Sequence, residues 1–202
     1  MQPPAYIFQR VLGDDWHRLG DVIRRHYSLA AFSGAQVTVS GVMDEVHHAP
    51  WVRWILPFGR LAGALVPYTG TGVPIDVHYR CRPDTPHLYW DRVFRFPGRA
   101  PFHFRSHMEA LQGNEVIEFV RWGIGMRLAV TAEDGALVFR DLGYLWRVAG
   151  LRIALPLGLL LGTAYVEERP EDDTHFRMKM VLRHRWFGDV FRYSGRFHLA
   201  RE

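Results

Sequence analysis

The stretch HLYWDRVFRFPGRAPFHFRSHMEAL, residues 87–111, sets an arginine among apolar residues at alternate positions. Leu88, Trp90, Arg92, Phe94 and Phe96 share one parity, and Phe102, Phe104, Ser106, Met108 and Ala110 share the matching one beyond a turn at Pro97-Gly98-Arg99. Period-two alternation is the signature of a strand with one buried face, so the stretch reads as a hairpin. A register that pairs Phe96 with Phe102 keeps the apolar faces together. It sets Arg92 opposite Ser106, Trp90 opposite Met108 and, on the outer face, Asp91 opposite His107. A buried guanidinium without a partner is too costly to stand alone. Three readings of Arg92 follow. It pairs with a carboxylate, for which Asp141, Glu45, Glu167 and Glu168 are the candidates. It holds an anionic or carbonyl group of a ligand in a partly wet cavity. Or a bulge turns it outward. The first two are compatible.

The remaining residues with chemistry fall around this arginine. Asp134-Gly135 is a two-residue hairpin signal, and such a turn puts Asp141 on the apolar face of Met126, Leu128, Val130 and Phe139. His26, Asp141, Glu167 and Glu168 are the candidates for moving a proton, with Arg92 stabilising developing negative charge. His26 also has a plainer reading, as an imidazole near the negative end of a helix. Arg92, Ser106, Trp90, Phe94, Phe104 and Met108 form the candidate ligand-binding set. Eleven histidines invite a metal. However, His103 and His107 stand roughly 13 Å apart along one strand face, and His47-His48 point to opposite faces, so no metal site is expected. Ser106 lacks the glycine-flanked elbow of a serine nucleophile. PYTGTGVP lacks the lysine and helix of a phosphate loop. No cofactor can be assigned.

These residues need elements to hold them. Residues 14–29, DDWHRLGDVIRRHYSL, have the helical spacing of Trp16, Leu19, Ile23 and Tyr27. Residues 37–46 alternate as a strand. Residues 49–65, APWVRWILPFGRLAGAL, read as a broken amphipathic helix kinked at Pro57, with Arg53 and Arg60 on a polar side. From Val73 onward the period is mostly two. Val73, Ile75, Val77, Tyr79 and Cys81 share a face, as do Phe176, Met178, Met180 and Leu182, and Phe191, Tyr193, Gly195, Phe197 and Leu199. Strands with one apolar and one polar face are antiparallel strands around a single interior. The expected fold is mainly β (α+β): a curved antiparallel sheet or barrel of about 8–10 strands in one domain, residues 1–202, with an N-terminal helix and one or two short apolar capping helices. A barrel of that size holds side chains or one small ligand.

Composition narrows the partners. The formal charge is +4 over 202 residues, and Lys179 is the only lysine among 25 basic residues. The arginines are spread and interleaved with acids, which argues against nucleic acid. A single cysteine, Cys81, excludes an internal disulfide and a cysteine-based zinc site. MQPPAYIFQR has no signal-peptide pattern. The apolar run of residues 153–166 is too short for a bilayer span. A cytoplasmic location is the resulting expectation. LRIALPLGLLLG, residues 151–162, and residues 49–65 are the most apolar segments; each reads as a cap, a lid over a cavity, or a weak membrane-surface contact with arginines toward headgroups.

WDRVFRF, FRSHM and LRIALPLGLLLG together resemble the uncharacterised bacterial family known as domain of unknown function 4166, over most of the chain. The matching positions are Trp90, Arg92, Phe94, Phe104 and Ser106, with His26 in VIRRHYS, GLRIALP, an acidic residue at Glu167 or Glu168, and YSGRF. The family's domain occurs alone or behind a dehydrogenase-like domain, and the resemblance implies the stand-alone form. It assigns importance to Arg92 and Ser106 but no chemistry. Three functions stay open: binding of a small hydrophobic molecule, lipid-like or aromatic with a polar or anionic head, in the barrel interior; an enzyme using that cavity for acid/base chemistry; or a membrane-surface or partner-binding module with a filled interior. Oligomeric state is not legible.

Overall fold

The computed structural model describes residues 6–200 apart from residues 62 and 64, and the side chains of Phe58 and Arg60 lie outside the description. The polar side expected at Arg60 therefore falls outside it, as do the first five residues of the N-terminal stretch.

The described residues form eleven strands, most of them alternating: β1 (Gln36–His48), β2 (Gly70–Arg82), β3 (Thr85–Phe94), β4 (Phe102–Ala110), β5 (Glu115–Phe119), β6 (Ile124–Glu133), β7 (Ala136–Val148), β8 (Leu151–Leu155), β9 (Thr163–Pro170), β10 (His175–His184) and β11 (Gly188–Leu199). Sequential antiparallel pairing runs around the molecule, β7 meets both β6 and β9, and β1 meets β11, which closes a ten-stranded barrel. β8 lies outside the ring, paired only with the far half of β7. The inward parity is the one that the sequence pattern selects: Val73, Ile75, Val77, Tyr79 and Cys81 are all buried, as are Phe176, Met178, Leu182, Phe191, Tyr193 and Phe197. Asp134-Gly135 makes the expected two-residue turn, both residues at positive φ, with Glu133 paired to Ala136.

Two expectations change. Residues 14–29 are not one helix. A 3₁₀ turn (Gly13–Arg18) follows α1 (Ile7–Leu12), and α2 (Asp21–Tyr27) starts only after an extended Leu19. The break has a tertiary cause: the Gly20 amide donates to the Gly135 carbonyl at 2.9 Å, and a Cβ on Gly20 would lie 2.7 Å from Pro170. Docking onto two strand turns thus overrides helical propensity. Likewise LRIALPLGLLLG is a strand, β8, followed by the short α4 (Gly158–Leu161) rather than a capping helix alone. Residues 49–65 do form the expected broken helix: a 3₁₀ turn (Pro50–Trp54) and then α3 (Leu56–Leu61), the break falling at Ile55 just before Pro57.

The two ends of the barrel differ. α1 and α2 seal the lower end, where Phe8, Ile23, His26 and Tyr27 are fully buried. α3 and α4 lie in the connections at the upper end. The β7–β8 hairpin packs outside β4 and β5: Leu145 meets Ile117 and Phe119, and Arg147 donates to Glu109 at 2.7 Å. The rest of the outer face carries ion pairs such as Asp91–Arg105, Glu45–Arg192 and Glu167–Arg169. That is the inverse of a membrane-spanning barrel, which turns apolar residues outward. No helix among the described residues is long and apolar enough to cross a membrane.

The β1–β11 seam depends on a glycine. A Cβ on Gly195 would approach the Val42 carbonyl oxygen to 2.6 Å and the Met43 backbone to 3.0 Å, beside the irregularity at Met43/Glu45. Gly195→Ala is expected to cost about 1–3 kcal/mol, the range for overpacking, read as a fall in thermal midpoint of several degrees. An unchanged midpoint would show that the seam is not constrained in this way.

Candidate functional site

Arg92 sits on β3 with 5% of its surface exposed, and it points into the barrel rather than out through a bulge. The hairpin register differs from expectation by two residues: Phe94 pairs with Phe102, Arg92 with Phe104, Trp90 with Ser106 and Leu88 with Met108. Even still faces even, so the apolar faces stay together, but the turn is longer and Asp91 faces Arg105 instead of His107. Arg92 still reaches the hydroxyl, now diagonally: its Nη1 donates to Ser106 Oγ at 3.0 Å.

The carboxylate partner is none of the four expected. Arg92 Nη2 donates to Glu118 Oε1 at 3.0 Å, and the Ser106 hydroxyl donates to the same oxygen at 2.6 Å. The guanidinium also lies 4.2 Å from the Trp90 ring centroid and 5.0 Å from that of Phe104. Burial works against its charge, but the adjacent Glu118 carboxylate, with Tyr193 and Tyr79, outweighs it and holds the guanidinium more firmly protonated than usual. Glu118 escapes sequence reading because EVIEF on β5 is apolar on both faces. Ile117 and Phe119 look like the core side, yet they face outward and are buried by the β7–β8 hairpin. Val116 and Glu118 take the inner side.

The other expected partners are engaged elsewhere. Glu45 pairs with Arg192. Glu167 accepts from the Tyr165 hydroxyl and Arg169, both at 2.6 Å, in the outer-face pairing. Asp141 stands where β7 bulges between Arg127 and Leu128. Its carboxylate accepts from the Gly143 amide and, at 2.9 Å, from the Ala164 amide. It thereby satisfies backbone donors where β7 parts from β9.

Glu168 turns inward on β9 and is 5% exposed. Its Oε1 accepts from the Tyr27 hydroxyl at 2.9 Å, and its Oε2 lies 3.1 Å from His26 Nε2. His26 Nδ1 donates to the Val22 carbonyl at 2.9 Å, as a carbonyl can only accept. The Nε2–carboxylate contact therefore requires one proton between imidazole and carboxyl. Both groups are held by packing: His26 stacks on Phe176 at 4.6 Å and lies 5.4 Å from Tyr79. The resulting cluster joins α2, which seals the barrel, to β9.

Arg92 and Glu118 of the first cluster and Glu168 of the second line one cavity of about 420 Å³. Its wall includes Trp90, Arg92, Phe104 and Met108 from β3 and β4, Glu118, Met126 and Leu128 from β5 and β6, and Glu168, Met178 and Tyr193 from β9 to β11. Phe94 is fully buried but packs against Phe96 and Tyr193 behind the wall. Ile55, Leu65, Leu157 and Leu160 line the upper end, and Leu160 is itself exposed, so the cavity reaches the surface there. Trp90 Nε1 and the Tyr144 hydroxyl are buried without a partner among the described residues. No group of three or more His, Cys, Asp or Glu among the described residues could hold a metal ion. Burial pushes the phenols of Tyr27, Tyr79 and Tyr193 up, Tyr193 to about 12.

Comparison with known families matches residues 19–197 to "Domain of unknown function (DUF4166)", and the chain belongs to that family. No curated protein matches. Among solved structures, the crystal structure of an N-terminal dehydratase from the difficidin assembly line aligns at 7% identity over 84% of this chain and 95% of that one. Its TM-score is 0.21, which carries no argument about fold or chemistry.

Two predictions follow from this geometry. Arg92→Met leaves Glu118 buried with only Ser106 to meet it, and is expected to cost about 3–5 kcal/mol in chemical denaturation. Arg92→Met with Glu118→Met removes both charges and recovers most of that loss; additive single effects would show that the pair is not coupled. The buried phenols fix the alkaline limit. An unfolded tyrosine loses its proton near pH 10, whereas these folded ones keep theirs. Above that pH the unfolded chain binds fewer protons, so stability falls as pH rises from about 10 toward 12. Phenolate absorbance is expected to rise in two stages, exposed tyrosines first and the buried ones only with unfolding. One simple titration near pH 10 with the fold intact would contradict this.

Proposed function

We propose that this member of the DUF4166 family binds one small hydrophobic molecule, with a polar head, inside the barrel. The observation that carries the proposal is the cavity: about 420 Å³, largely apolar, reaching the surface at Leu160, with Arg92 and Glu118 on its wall and Ser106 bonded to both behind them. Cavities of a few hundred Å³ with apolar walls and a few converging polar groups are the usual form of a small-molecule site. The head would lie against Arg92. Because Glu118 already shares that guanidinium, a dipolar or hydrogen-bonding head fits better than a strong anion, which would compete with the carboxylate. Trp90 Nε1 and the Tyr144 hydroxyl supply further polar groups left unmatched among the described residues.

A solvatochromic naphthalene dye tests this. The native protein is expected to bind it with one-to-one stoichiometry. Met126→Trp, which sets an indole into the cavity, is expected to weaken binding at least about tenfold, the equivalent of 1.4 kcal/mol, while the circular dichroism spectrum is kept. Dye binding that Met126→Trp leaves unchanged would place the site elsewhere.

A second reading rests on Glu168. A cavity-lining carboxylate that shares a proton with a buried histidine is an arrangement suited to acid/base work. Under it, the native protein converts a bound hydrophobic substrate and Glu168→Gln binds but does not convert it, as followed by mass spectrometry of the bound molecule. The same bound species in both proteins would leave binding alone.

A further inference from the structure

We infer that the upper rim of the barrel docks on an anionic lipid bilayer, so that a hydrophobic ligand passes between membrane and cavity without crossing water. This rests on the ligand-binding reading above and names where the ligand comes from. The rim consists of the connections β1–β2 (residues 49–69), β3–β4 (95–101), β5–β6 (120–123), β8–β9 (156–162) and β10–β11 (185–187). In the antiparallel ring the connections β1–β2, β3–β4, β5–β6 and β10–β11 share one end, the one not sealed by α1 and α2, and the contact of His184 with the Leu159 carbonyl brings β8–β9 to it.

Large apolar side chains concentrate there and face solvent: Leu159 is 80% exposed, Trp54 72% and Trp186 69%, with Trp122, Phe187 and Leu61 also exposed. Contacts join the segments into one patch. Trp51 meets Phe187 at 5.7 Å between ring centroids, His184 beside the β10–β11 connection lies 3.1 Å from the Leu159 carbonyl, and Gly63 packs near the Arg121 side chain. Monomeric proteins rarely leave a contiguous apolar patch of this kind without a use.

The charge pattern selects the occupant. The rim segments contain Arg53, Arg60, Arg95, Arg99, Arg121 and Arg185, and no aspartate or glutamate. Among the described side chains of these six, only Arg95 meets a carboxylate, Asp76 at 2.6 Å. Arg53 and Arg185 lie 5.1 Å and 4.1 Å from the rings of their neighbours Trp54 and Trp186, so each cation sits beside an aromatic. The opposite end reverses the sign, with Asp84, Asp134, Glu171, Asp172 and Asp173 in its turns. Tryptophan and leucine enter the interfacial layer of a bilayer while arginines meet the headgroups, and each surface arginine near an anionic leaflet contributes roughly fivefold in partitioning. A rim with that composition surrounds the point where Leu160 opens the cavity.

Co-sedimentation with vesicles tests the inference. The full chain is expected to bind vesicles of mixed phosphatidylglycerol and phosphatidylcholine, to bind pure phosphatidylcholine at least about tenfold more weakly, and to release as salt rises. Trp186→Glu and Leu159→Glu are expected to weaken binding to the anionic vesicles about tenfold or more, whereas Phe32→Asp, an exposed apolar change at the sealed end, leaves it within about twofold. Equal binding to both vesicle types, no binding, or an unaffected Trp186→Glu would overturn the inference. So would a dimer in sedimentation velocity that Trp186→Glu dissolves, which would make a second copy the occupant. Met126→Trp separates the two readings: it is expected to lose dye and keep vesicle binding. If the native protein binds anionic vesicles but no dye, the ligand reading fails while the docking surface stands.

Discussion

The interior charge pair is the constraint around which the barrel is organised. Arg92 cannot be buried without Glu118, and Glu118 cannot be inward without a strand that puts Ile117 and Phe119 outside. Those outward residues then need cover, which the β7–β8 hairpin provides through Leu145 and Arg147. Hairpin cover in turn requires β7 to leave β9 partway along its length, and the departure exposes backbone donors that Asp141 takes up. One buried ion pair thereby accounts for an extra strand outside the ring, a bulge and a carboxylate that does not line the cavity.

A second chain of dependence runs from the sealed end. His26 and Tyr27 reach Glu168 because α2 starts where Gly20 docks on Pro170 and Gly135. Arg92 and Glu118 of one polar cluster and Glu168 of the other line the same largely apolar space. The rest of the wall is mostly methionines, leucines and aromatic rings, and that space is what a hydrophobic ligand would fill. The polarity along the barrel axis is equally clear: acidic turns at the sealed end, arginines with exposed tryptophans at the other.

Much of this was legible in the residues. The parity of Val73 to Cys81 and of Phe191 to Leu199 defined the inner wall, Asp134-Gly135 defined a turn, and Arg92 with Ser106 announced itself as a polar pair on an apolar face. What could not be read was set by contacts distant in sequence. The β3–β4 register slipped by two residues because parity alone cannot distinguish registers that differ by a full repeat. Glu118 was hidden because a strand buried on both faces gives no alternation to read. Asp141 looked like a site residue because parity carried it inward, whereas the bulge at Leu142 and two unsatisfied amides determine its partners.

The central claim is that the barrel interior is an open, largely apolar site rather than a filled core. Denaturing extraction of the purified native protein, with mass spectrometry of what is released, tests it most directly. The account predicts a small hydrophobic molecule at close to one per chain, absent from an identical extract of Met126→Trp. An extract with the same contents from both proteins, or none from either when the native protein also excludes the dye, would contradict it.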